Sequence, residues 1–271
     1  PAMIPIPSFA PPLGQLPGGD AVRQRTHYIT TNVAGVRDYA PGDSFNRIHW
    51  RSTARTGRLI VKEFELDPTA DIWLLPDMHA AVQYSMPFEE PDAVDPWVAI
   101  LRGTRRSEIE LDPTTEEYTV TIAASIAQHF VLKDRAVGMM TYAQGREVLQ
   151  PDRGHRQLTK ILETLSVFRA EGEVPLAQIM LGEGERLGRG MTLVVITSSL
   201  DSIWIAAARD IRRRGVQVVA ALIDPEGFGG PKGVETAMYE LQASRIPAYL
   251  VRKDDDLAQA LSRQMSFSRS R

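Results

Sequence analysis

Arg47, Arg51 and Arg55 are spaced i, i+4 and i+8, which would line three guanidinium groups along one side of a helix. Guanidinium pairs bidentately with carboxylates and phosphates, so such a stripe can act as a docking surface for anions. The same groups could instead be neutralised locally by Asp38, Asp43, Glu63 and Glu65, and the sequence leaves both readings open. A second set of oxygen-bearing side chains follows two apolar runs. Asp77 comes after Ile72-Trp73-Leu74-Leu75, and Ser198, Ser199 and Asp201 come after Leu193-Val194-Val195-Ile196-Thr197. These four residues are weak candidates for metal ligands, or for the acid and hydroxyl of a hydrolase. The histidines (His27, His49, His79, His129 and His155) show no His-Glu-x-x-His spacing, and no Gly-x-Ser-x-Gly elbow is present. Gly182-x-Gly184 lies in a charged helical stretch and does not follow a strand. In Gly227–Gly233 the lysine, Lys232, stands between Pro231 and Gly233, where a phosphate loop needs glycine before and a hydroxyl after. That stretch reads as a turn. With no cysteine, disulfides and thiolate chemistry are excluded.

The arginine stripe needs a helix to carry it. Ala40-Pro41-Gly42 is turn punctuation, and Asp43 stands where an N-cap would accept backbone N–H bonds. The pattern predicts a helix over Ser44–Thr56, closed by Gly57 in the left-handed conformation, then a strand over Arg58–Glu65. Trp50 is expected to be buried, anchoring this helix. Alternation near His27–Thr31 hints at an earlier strand.

Strands and helices then alternate to the end of the chain. Strands are predicted at 71–75, 137–142, 146–150, 191–197, 216–223 and 248–251. Helices are predicted at 115–133, 155–170, 176–186, 202–214, 235–243 and 256–261. Near-continuous apolar strands separated by helices imply a mostly parallel sheet covered on both faces, an α/β doubly wound fold. The order 3-2-1-4-5-6 fits, with the Arg146 strand antiparallel at one edge. Ligands of such sheets bind beyond the carboxyl ends of the central strands, where Asp77 and Ser198–Asp201 fall.

The organisation expected is an extended linker or arm over 1–20, a signature turn–helix–strand element over 21–66, the main domain over 67–261 and a disordered tail over 262–271. An insert over 84–113 carries seven acids and three bases, whereas 21–66 carries eight bases and four acids. The insert could shield the basic element, recruit a partner or simply be a solvated loop. A net charge of −3 argues against a general nucleic-acid binder, and no apolar run reaches the length of a spanning helix.

Arg37, Tyr39, Gly42, Asp43, Ile48, Trp50, Ala54 and Arg55, with Leu59 after them, resemble the signature of the domain of unknown function 58 family. Thr53 stands where that family often has serine. The resemblance covers about the first quarter of the chain and implies a von Willebrand factor A-like domain behind the signature. It also implies a MoxR-type AAA+ ATPase as partner, with a chaperone-like role in assembly or metal insertion. A membrane tether upstream would hold the domain at the inner face of the membrane, in the cytoplasm. In metal-binding domains of this type an Asp-x-Ser-x-Ser motif grips Mg²⁺; here the matching stretch is Asp77-Met78-His79-Ala80-Ala81, with both hydroxyls missing. Mg²⁺ demands near-octahedral oxygen coordination, so no cofactor is expected. The reading is therefore a non-enzymatic protein-interaction module, docking through Arg47, Arg51 and Arg55. The alternative is a hydrolase or metal-dependent binding domain using Asp77 and the Ser198–Asp201 loop.

Overall fold

The strand runs that are apolar throughout form the centre of the larger of two units. The computed structural model describes residues 1–9, 33–40, 48–64, 71–87 and 111–263. The chain divides into a unit of Pro1–Gln15 with Ala70–Arg271 and a unit of Leu16–Thr69.

In the smaller unit, β1 (Val33–Asp38) pairs antiparallel with β2 (Ile60–Phe64), and the helix α1 (Trp50–Thr56) lies between them in sequence. The helix is shorter than predicted. Ile48 bridges Val61 and the His49 N–H donates to the Ile60 carbonyl at 2.8 Å, so the chain is held extended until Trp50. His49, not Asp43, is therefore the N-cap residue, and it makes no side-chain cap. Gly57 closes the helix as predicted, at φ 67°, its N–H donating to the Thr53 carbonyl. The predicted strand at 27–31, together with Gly42, Asp43 and Arg47, lies outside the described residues.

In the larger unit, six strands run in the order β5-β4-β3-β6-β7-β8. They are β3 (Ile72–Pro76), β4 (Val137–Tyr142), β5 (Arg146–Asp152), β6 (Thr192–Thr197), β7 (Gln217–Ile223) and β8 (Ala248–Val251). Counted from β3, this is the 3-2-1-4-5-6 order, and β5 is the one antiparallel member, at the edge. This is the mostly parallel, doubly wound α/β sheet that the strand pattern predicts.

Side chains alternate between two cores, as the period of two requires. Ile72, Leu74, Val194, Ile196, Val219 and Ala221 point into one core. Trp73, Leu75, Leu193, Val195, Val218 and Ala220 point into the other. The first face is covered by α2 (Thr115–Val131), α3 (Gly154–Ser166) and the short α7 (Leu257–Ala260); the second by α4 (Leu176–Gly184), α5 (Ser202–Arg213) and α6 (Val234–Ala243). α2 begins with an N-cap, the Thr114 hydroxyl accepting from the Glu117 N–H at 3.1 Å. Asp201 caps α5 by accepting from the Ile203 N–H at 2.9 Å.

Two expectations need correcting. Residues 1–9 are not a free linker: Ile6 and Phe9 are buried, Phe9 stacks on Tyr249 at 4.6 Å and packs edge-on against Phe130, and His129 Nδ1 bonds the Ile6 carbonyl. Prolines keep the segment extended, while its alternating apolar residues dock it on the core. At the other end, Ser262 completes the last helical turn, its hydroxyl donating to the Ala258 carbonyl at 2.6 Å, so it is not part of a free tail; 264–271 lie outside the described residues. The insert at 84–113 has a closed neck. Ser85 bridges Thr114, and the Thr115 N–H donates to the Tyr84 carbonyl at 2.9 Å. Residues 88–110 lie outside the described part.

Candidate functional site

In the smaller unit the site grows from α1. Its inner side is spent on local bonds: Thr53 Oγ1 accepts from the Ile60 N–H at 3.0 Å, and His49 Nδ1 lies 2.7 Å from Ser52 Oγ. The helix buries no residue. Its outer side carries Trp50, Arg51, Ala54 and Arg55, all exposed, with the indole at 67%. Trp50 is therefore not the buried anchor predicted.

The arginine stripe is also shorter than predicted. Because the helix starts at Trp50, only Arg51 and Arg55 share a face, and Arg47 lies outside the described residues. Among the described residues neither Arg51 nor Arg55 has an ion-pair partner. Local neutralisation falls instead to Arg58, 3.6 Å from Asp38, in an exposed pair worth about 0–1 kcal/mol. Three other signature residues fall in the framework around the helix. The Tyr39 N–H donates to the Leu59 carbonyl at 2.9 Å, Arg37 occupies a β1 position opposite Val61, and Ile48 is buried. What the outer face offers is an apolar plate beside two cations, which suits a partner presenting carboxylates around an apolar or cationic centre.

In the larger unit the structure does bring Asp77, Ser198, Ser199 and Asp201 to one sheet edge, at the carboxyl ends of β3 and β6. It does not leave them open. Asp77 is fully buried; Oδ2 accepts from the Thr197 hydroxyl at 2.6 Å and Oδ1 from the His79 N–H at 3.1 Å. Burial pushes its carboxyl above the ordinary range, against the pull of those two donors. Ser198 donates to the Val82 carbonyl, Ser199 Oγ accepts from the Asp201 N–H at 3.3 Å, and Asp201 is the cap of α5.

A lid of main chain closes over this acid. The segment Met78–Gln83 contains a 3-10 turn at Ala80–Val82 and is pinned by Gln83, whose amide donates to the Asp77 carbonyl at 2.7 Å. Thr115 donates to the other end of that amide at 2.6 Å. Gly172 clamps the far side: its N–H donates to the Met78 carbonyl and its carbonyl accepts from the Ala80 N–H, both at 2.9 Å. Thr197, Gln83, Thr115 and Gly172 were not singled out from sequence, because their roles depend on partners far along the chain. A divalent cation needs outward-facing oxygens, whereas Asp77 faces inward and His79 and Ala81 replace hydroxyls; these donors do not fit Mg²⁺. Among the described residues no group of three His, Cys, Asp or Glu side chains could hold a metal ion. Nor, among them, is any helix long and apolar enough to cross a membrane.

The family profile described as "Protein of unknown function DUF58" matches residues 35–101, the stretch that includes the signature. "Uncharacterized protein YeaD" of Bacillus subtilis (strain 168) is 26% identical over 170 residues. That alignment takes in 62% of this chain and 34% of YeaD, so the chain spans about a third of its relative. Among solved structures, BatB of Bacteroides thetaiotaomicron aligns over 71% of this chain and 97% of its own, at 12% identity and a TM-score of 0.43. Proximal thread matrix protein 1 of the mussel byssus aligns over 72% and 45%, at 12% identity and a TM-score of 0.41.

Proposed function

We propose that this chain, which carries the DUF58 signature ahead of a von Willebrand factor A-type sheet, is a protein-interaction module that docks an acidic partner surface through the outer face of α1. The observation that carries the reading is Trp50, 67% exposed beside Arg51 and Arg55. Tryptophan and arginine dominate the energetic centres of protein interfaces, where a few residues supply most of the affinity. Here they stand together on a helix that covers no core.

The partner class we propose is a MoxR-type AAA+ ATPase, with the module serving it in chaperone-like assembly. On this reading the chain takes no cofactor, binds no nucleic acid, and is held at the cytoplasmic side of a membrane by a tether outside this sequence. Hydrolase chemistry at Asp77 is disfavoured by geometry. The carboxyl is sealed, and the Ser198, Ser199 and Asp201 oxygens are already engaged in internal bonds.

The test is binding of the purified chain to a purified MoxR-type ATPase, with Trp50→Ala as the variant. Loss of a central tryptophan should weaken affinity about thirtyfold, while the melting temperature moves little. Unchanged affinity would refute the assignment of Trp50.

A further inference from the structure

The sheet edge opposite Asp77 carries a second feature that the docking reading does not use. β6, β7 and β8 are parallel, so their amino-terminal ends share that edge. The turns leading into them are stitched together. The Gly190 N–H donates to the Gly215 carbonyl at 2.9 Å, the stem of Arg189 lies over Gly215, and an Arg212 guanidinium N–H donates to the Ser244 carbonyl. Five arginines come with these turns: Arg189, Arg212, Arg213, Arg214 and Arg245. Arg213 is neutralised by Asp210 at 3.0 Å. Among the described residues, Arg189, Arg212, Arg214 and Arg245 have no ion-pair partner.

Arg212 is half-buried, and its charge is disfavoured first by that burial and then by the neighbouring charge of Arg245. The Arg212 guanidinium is held at the Ser244 carbonyl, one residue from Arg245, and like charges so placed repel, the more so where partial burial weakens screening. Arg245 adds a second cost. Its φ is +56°, a left-handed conformation that glycine or asparagine adopts readily and arginine only at a penalty. That conformation belongs to the C-terminal cap of α6, where the Ile246 N–H donates to the Leu241 carbonyl at 2.9 Å, and it sets the Arg245 stem beside Arg212, where an anion would offset the two charges.

We propose that Arg212 and Arg245, flanked by Arg189 and Arg214, form a binding site for a phosphate group at the amino-terminal edge of β6, β7 and β8. Guanidinium forks match phosphate oxygens bidentately, and a phosphate between them turns the repulsion into attraction. The phosphate could belong to a soluble compound or to a phospholipid headgroup. The site stands independently of the α1 docking face.

The experiment is calorimetric titration of the whole chain with inorganic phosphate at constant ionic strength, using Arg245→Asn and Arg212→Gln. Saturable binding is expected, weakened about tenfold in each variant, the loss of one charge-assisted contact. Arg245→Asn should also melt higher than the parent without phosphate, because it removes both the repulsion and the backbone penalty. No saturable heat below about 10 mM phosphate, a range in which any specific site would register, overturns the proposal. So does unchanged binding by Arg245→Asn, or a lower melting temperature for it, which would make Arg245 a structural residue. Sedimentation with phosphatidylcholine vesicles, with and without phosphatidylglycerol, then distinguishes the source. Recruitment lost in Arg245→Asn places the phosphate on a lipid. Phosphate binding without recruitment places it on a soluble compound.

Discussion

Replacing Gly172 by alanine tests the lid over Asp77 with a single methyl group. A Cβ at this position would lie 2.2 Å from the Tyr142 carbonyl oxygen and 2.7 Å from that of Met78. Both are main-chain atoms that cannot rotate away, so the strand end or the lid must shift. Overpacking of this kind costs about 1–3 kcal/mol. The shift would also strain the two 2.9 Å bonds that Gly172 makes to Met78 and Ala80, each worth about 1 kcal/mol. The combined loss is about 3–5 kcal/mol. For a unit of about 200 residues that lowers the melting temperature by about 6–20 °C. Differential scanning calorimetry of Gly172→Ala beside Gly145→Ala makes the comparison internal, since a Cβ at Gly145 meets nothing within 4 Å. If the two variants melt together, the lid is not clamped at Gly172 and the sealing of Asp77 loses its support.

Asp77→Asn should alter the pH dependence of stability in a defined direction. Burial raises the folded-state pKa of Asp77 above the ordinary carboxylate range, so its contribution is fully present below the unfolded pKa and is lost as pH rises through the folded pKa. The parent should therefore lose stability relative to Asp77→Asn between acid and neutral pH in urea titrations; parallel curves would contradict this. Mg²⁺ at about 1 mM should raise the melting temperature little, because a sealed carboxyl offers no tight site. Saturable stabilisation abolished by Asp77→Ala would show otherwise. Phe9→Ala should cost about 3 kcal/mol and speed hydrogen exchange of the Ile4 amide, which donates to Ser125 Oγ; a protein with unchanged melting and exchange would show that the first nine residues are not anchored.

The large sheet was legible in the sequence because its strands are buried on both faces. Leu193-Val194-Val195-Ile196 and Val218-Val219-Ala220-Ala221 are apolar at every position, a pattern that a half-exposed strand or a surface helix does not produce. Boundaries fell within a few residues of prediction because caps such as Asp201 and Thr114 are local chemistry. The smaller unit was less legible for the opposite reason. Its helix starts where it does because Ile48 and His49 pair with Val61 and Ile60, contacts that no local pattern reports. In a seven-residue helix, periodicity cannot say which side faces inward, so Trp50 was assigned to the wrong one. The Asp77 site was half legible. Its acid and serines were found, but the residues that seal it come from four separate segments, and Gly172 sits in a stretch with no distinguishing pattern.

The docking claim is tested most directly by the association rate of this chain with a MoxR-type ATPase, measured across ionic strength for the parent and for Arg51→Glu combined with Arg55→Glu. Exposed charges steer encounter more than they stabilise the complex, so the double reversal should slow association about tenfold and flatten or invert its salt dependence. The melting temperature should hold, since α1 buries no residue and neither arginine has an ion-pair partner among the described residues. An unchanged association rate together with a lowered melting temperature would show that these arginines serve the fold, and would contradict the account.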